Sequence, residues 1–136
     1  MHGDRLVPKI IDFGIAKVIN DDADYKTLTR PGTVMGTPHY MSPEQANSEV
    51  LDVRADVYSA GVIAFELLTG RVPYQARGFL GVLSKVLTED IPSMASIAPE
   101  AKVPAKVEAI VRRAMAKDRN DRHATAAEFA AAIRAL

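Results

Sequence analysis

The sequence predicts a mainly α fold with a short β-hairpin at its start and about five helices after a long polar segment. Three observations predict it. Leu6 to Ile11 is a short run rich in β-branched residues, and Ile15 to Ile19 is a second one able to pair with it. Asn20 to Thr37 is polar and rich in turn formers, with Pro31-Gly32 as a breaker. From Ser42 onward, apolar residues recur at helical spacing between capping residues.

The elements follow in order. Ser42-Pro43-Glu44-Gln45 starts a short helix, with Ser42 as N-cap, Pro43 at the first position and Gln45 completing a capping box. Arg54 to Thr69 is helical, and Gly70 ends it. Val57, Ala60, Gly61, Ala64, Leu67 and Leu68 make one stripe of this helix, while Val62, Ile63 and Phe65 cover much of the rest. A helix apolar nearly all round is expected to be buried on all sides, the core helix of the domain. Arg71-Val72-Pro73-Tyr74 reads as a turn. Phe79, Val82, Leu83, Val86 and Leu87 mark an amphipathic helix. Ile91 to Val103, with Pro92 and Pro99, reads as a loop. Pro104 opens another helix with Val107, Ile110, Val111, Ala114 and Met115 on its inner face. Lys117 to Arg122 is a charged connection. Thr125 caps the last helix, Glu128 completes its capping box, and Ala126, Phe129, Ala130 and Ile133 face inward.

At 136 residues the chain is at most one domain, with neither repeats nor a second domain. Its 48% hydrophobic and 25% charged content is ordinary for a globular chain. Seventeen basic residues balance seventeen acidic ones, so no field of one sign draws in nucleic acid or an anionic membrane. Without cysteine there is neither a disulfide nor a thiolate metal site. The N-terminus lacks the apolar stretch of a signal peptide, and Ala60 to Leu68, broken by Glu66, is too short to span a bilayer. A cytoplasmic protein is the expectation.

The stretch from Asp12 to Glu44 carries the chemistry. It opens with Asp12-Phe13-Gly14 and closes with Gly36-Thr37-Pro38-His39-Tyr40-Met41-Ser42-Pro43-Glu44. Asp56-Val57-Tyr58-Ser59-Ala60-Gly61 follows. In order and spacing these motifs resemble the activation segment and following helix of a protein kinase, and their wording is similar to bacterial serine/threonine kinases. The resemblance extends from about Lys9 to the end, matching the later part of the large helical lobe.

The resemblance implies roles. Asp12 would hold the magnesium that bridges the ATP phosphates, with Gly14 letting the backbone turn and Phe13 packing as the switch residue. Thr33, with Thr29 and Thr27 as alternatives, would be the activation-loop phosphorylation site. Gly36 and Thr37 would support the substrate beside its phospho-acceptor, and Thr37 tilts specificity to serine and threonine. Glu44 would pair with Arg122, and Asp56 would hydrogen-bond the backbone of the catalytic loop. An acid at Asp56 also suits the helix dipole on its own. Ile63 and Leu67 match positions that support the adenine-binding column, though as bare sequence they are core.

Other kinase parts do not occur in these residues. There is no Gly-x-Gly-x-x-Gly and no Val-Ala-Ile-Lys, and His2-Gly3-Asp4 lacks the asparagine that follows a catalytic His-Arg-Asp. The expectation is therefore a partial kinase domain over residues 1–136, cut off upstream, with no catalytic residue of its own. The parent would use magnesium and ATP, neither bound tightly by this chain, and its partners would be protein substrates. Self-association through exposed apolar surface on the Arg54–Thr69 helix is expected as well. The competing reading is a non-catalytic binding or decoy module.

Overall fold

The computed structural model of the chain describes residues 38–136. Among them run a 3-10 turn at Pro38–Tyr40 and the helices α1 (Pro43–Ala46), α2 (Arg54–Thr69), α3 (Gly78–Thr88), α4 (Met94–Ile97), α5 (Ala105–Ala114) and α6 (Ala126–Arg134). The expected hairpin from Leu6 to Ile19 and the loop to Thr37 lie outside the described residues.

Helix α2 organises the rest. At its start the Asp52 carboxylate accepts the Arg54 N–H at 2.8 Å, serving one of the donors that a helix end leaves without a partner. At its end Gly70 takes φ 69°, the left-handed geometry that glycine adopts at no steric cost, and its N–H reaches the Glu66 carbonyl at 2.7 Å. Tyr58, Val62 and Phe65 of α2 pack with Tyr74, Val82, Val86, Met94, Val111 and Met115. A second cluster of Val57, Ala114 and Phe129 joins α2, α5 and α6. Gly61 lets α2 and α5 close together. A Cβ there would stand 2.8 Å from Met115 Cγ and 2.9 Å from Ala114 Cβ. The buried Tyr58 hydroxyl has no hydrogen-bond partner among the described residues.

Four readings of the sequence are corrected here. Helix α2 is not buried on all sides, since Ile63 is 49% exposed and Leu67 81% exposed. Apolar composition sets what a helix can bury, whereas its neighbours set what it does bury. Leu67, placed in the inner stripe, is thus outside it, and Tyr58 is inside. Second, the loop from Ile91 to Val103 contains α4. Ser93 Oγ accepts the Ser96 N–H at 3.1 Å, Glu108 Oε1 accepts the Met94 N–H at 3.0 Å, and the buried Met94 side chain holds the turn down.

Third, Thr125 Oγ1 does cap α6 through the Glu128 N–H at 3.1 Å, but the Glu128 carboxylate reaches the Ala124 N–H at 2.8 Å instead of closing a capping box on Thr125. Last, α6 meets α2 and α5 along a narrow line through Phe129. Ala126 and Ile133 are therefore exposed, and on α3 Leu87 is exposed while Val82 and Val86 are buried.

Candidate functional site

Segment 38–44 is held by polar contacts at several points. His39 Nδ1 donates to the Tyr74 carbonyl at 3.0 Å, and Tyr40 Oη donates to Glu66 Oε2 at 2.7 Å. Ser59 Oγ donates to the Tyr40 carbonyl at 2.8 Å. These bonds fasten the segment to α2 and to the connection between α2 and α3. At its far end Ser42 and Gln45 form the expected capping box, with Gln45 Oε1 accepting the Ser42 N–H at 2.9 Å. The buried Ser42 and Pro43 turn the chain into α1, and Glu44 in its first turn points inward.

Glu44 meets Arg122 there. The two guanidinium Nη atoms donate to the two carboxylate oxygens at 2.7 and 2.8 Å, a bidentate pair with both side chains buried. Arg122 spends its other donors on the carbonyls of Ala116 at 2.7 Å, Arg54 at 3.0 Å and Lys117 at 3.2 Å. Its guanidinium also lies 5.0 Å from the centroid of the Tyr58 ring. Burial pushes the Glu44 carboxyl up. The Arg122 hydrogen bonds and charge outweigh that, with help from its own N–H and from Ser42, and hold it below the usual carboxylate range.

A more exposed ion network lies beside it. Arg54 grips Asp52 at 2.7 Å, and Arg119 reaches Glu49 at 2.8 Å, Asp52 at 3.6 Å and the Val50 carbonyl at 2.7 Å. Hydrogen bonding from Arg54 outweighs the cost of burial and, with the Arg54 and Arg119 charges, holds the Asp52 carboxyl well below its ordinary value. The network ties the connection between α1 and α2 to the 3-10 turn at Arg119–Asp121.

Of the residues singled out from sequence, the structure brings Glu44 and Arg122 together and places Asp56, exposed, in the first turn of α2. Asp12, Phe13, Gly14, Thr27, Thr29, Thr33, Gly36 and Thr37 lie outside the described residues. Among the described residues no three His, Asp or Glu side chains converge as a metal site. Sequence reading missed the Tyr40–Glu66, Ser59–Tyr40 and His39–Tyr74 contacts, as well as the Arg54 and Arg119 network. Tyr40, Ser59 and Glu66 each stood inside a recognised segment, yet spacing alone does not reveal that they meet.

Helices gathered on a central helix, with a loop segment locked by a buried Arg–Glu pair, are the architecture of a protein kinase's helical lobe. Residues 1–132 match the protein kinase domain family, and the chain belongs to it. It is 42% identical over 128 residues to the serine/threonine-protein kinase pkn3 of Myxococcus xanthus, covering 94% of this chain and 23% of that protein. It is 40% identical over 129 residues to the probable serine/threonine-protein kinase PknB of Bifidobacterium longum, covering 95% of this chain and 18% of that one. The serine/threonine-protein kinase PrkC of Bacillus subtilis is 37% identical over 126 residues, covering 93% of this chain and 18% of that protein. The chain thus spans about a fifth of the length of these relatives. In fold it is similar to the twitchin kinase region of C. elegans, with TM-score 0.60 and 22% identity over 71% of this chain and 16% of that one. Among the described residues no helix is long and apolar enough to cross a membrane.

Proposed function

We propose that these residues are the acceptor-docking part of a serine/threonine protein kinase, and that the kinase moves the γ-phosphoryl of ATP to serine or threonine hydroxyls of proteins. The observation that carries the reading is the buried bidentate Glu44–Arg122 pair at 2.7 Å, which locks the end of the docking segment into the helical lobe. Asp12 is the residue to hold magnesium, which when bound would neutralise phosphate charge. Thr37 and Gly36 are the residues to support the acceptor, and Thr33, Thr29 or Thr27 the site of regulatory phosphorylation.

The 136 residues by themselves lack the glycine-rich loop, the ATP-anchoring lysine and the His-Arg-Asp base. Phosphoryl transfer rests on positioning and charge stabilisation, so without these parts the polypeptide transfers no phosphate. The test is incubation of the purified chain with magnesium and γ-labelled ATP while its melting is followed. No label on any protein and no change in melting temperature are expected. Label on an added protein, with other enzymes excluded, would overturn the reading.

A second reading is a non-catalytic binding module, and the exposed Ile63 and Leu67 on α2 favour it. A monomeric, cooperatively melting chain that captures a kinase or its substrate would support it. Aggregation of the chain would count against it.

A further inference from the structure

We propose that Lys117 is a positioning residue for segment 38–44, linking the segment's two anchors through Tyr74 and Arg122. This rests on the reading of 38–44 as acceptor-docking. The links are continuous. His39, near one end of the segment, bonds the Tyr74 carbonyl at 3.0 Å. The Tyr74 hydroxyl accepts from Lys117 Nζ at 2.8 Å and donates to the Glu89 carbonyl at 3.3 Å. The Lys117 carbonyl accepts from Arg122 at 3.2 Å, and Arg122 holds Glu44 at the other end. Lys117 Nζ also donates to the Val86 carbonyl, near the end of α3, and sits 4.4 Å from the centroid of the Tyr74 ring. One residue therefore joins both routes back to the docking segment, its half-buried amine bonding Tyr74 and α3 and its backbone carbonyl accepting from Arg122. An ammonium has three donors and no acceptor, so it suits two carbonyl or hydroxyl oxygens and an aromatic face. Loss of its proton removes the charge that holds these three together.

The groups facing Lys117 are Tyr74 from the connection between α2 and α3, Glu89 and Asp90 after α3, and Arg122 from the stretch before α6. Burial lowers its ammonium from 10.5 to about 8, against the pull of Asp90 and Glu89 and with the push of Arg122. The amine on the Tyr74 side of the link therefore loses its proton well below the pH of an ordinary lysine.

The test labels the methionine methyl groups and the Lys117 Cε of the full chain with carbon-13. It follows them by NMR through a pH range bracketing about 8. Met41 lies inside the segment and reports on it. The result expected is that the Met41 methyl shifts with the same midpoint as Lys117 Cε, and that this midpoint vanishes in Lys117→Arg with melting intact. An α-amino group ordinarily titrates at about 7.7–8.0, and any shift that arises from it is the same in Lys117→Arg, so only the part lost in that variant is read as Lys117. A motionless Met41 beside a titrating Lys117, or a midpoint that survives unchanged in Lys117→Arg, would overturn the proposal.

Should Lys117→Arg fail to fold, Tyr74→Phe keeps the ring and the carbonyl but removes the hydroxyl. It is expected to shrink the Met41 shift while Lys117 Cε still titrates, and a Met41 shift of unchanged size would overturn the link. No acceptor or nucleotide enters this experiment. A coupled Met41 in a chain shown by other means not to dock acceptors would sink the docking reading alone, and an uncoupled Met41 would sink the Lys117 proposal alone.

Discussion

Glu44 and Arg122 form a bidentate ion pair with both side chains buried. Breaking a buried pair leaves one desolvated charge unpaired, which costs about 3–5 kcal/mol. Glu44→Gln or Arg122→Met is therefore expected to lower stability by that amount in denaturant melts, while the exposed Lys106→Ala is expected to change it by under about 0.5 kcal/mol. The pair also sets a pH dependence. The Glu44 carboxyl is held below its unfolded value, so its contribution is complete above about 4.3 and is lost as pH falls through the folded value. Acid melts of Glu44→Gln should lack that part of the loss.

Lys117 acts in the opposite sense. Its folded value of about 8 lies below the unfolded 10.5, so between them the unfolded chain binds more protons and stability rises with pH. Burial raises the Tyr58 and Tyr74 phenols, whose contribution falls away only above about 10. The rise should therefore be read between the two and be absent in Lys117→Arg. At this scale the Glu44–Arg122 pair was legible through the family's motifs. The Tyr40–Glu66 bond, 26 positions apart, and the Lys117–Tyr74 bond, 43 apart, were not. Nothing in a polar residue's local neighbourhood specifies which distant partner the fold brings to it.

At the scale of elements, α2 was legible to the residue, since its start at Arg54, its apolar content and Gly70 are all local signals. The capping box at Ser42 was legible for the same reason, and Ser42→Ala is expected to cost about 1 kcal/mol and to loosen α1 in amide exchange. The exposed flank of α2, the inward face of α6 and the short α4 were harder. Each depends on what packs alongside, and a four-residue helix such as Met94–Ile97 carries too few positions to show a period. Gly61 shows the same limit. Its glycine reads as a cost to the helix until α5 is seen against it. Gly61→Ala adds helix propensity but forces Met115 and Ala114 apart, and a net loss of about 1–3 kcal/mol is expected in thermal melts.

For the whole molecule, the proposed function sets an acceptor-docking surface apart from the chemistry of phosphoryl transfer. Leu67 and Ile63 leave apolar area on the central helix exposed. If that face drives association, Leu67→Glu should lower the sedimentation coefficient of the chain at high concentration without changing its melting. A charge replaces an exposed group there, so the core loses nothing. The central claim is tested most directly by grafting. The matching segment of the Myxococcus relative, 42% identical over 128 residues, is replaced by these residues, and transfer from γ-labelled ATP is measured. Label on serine and threonine, lost when the graft carries Arg122→Ala, is the predicted result. A folded graft that transfers nothing, or that labels tyrosine, would contradict the account.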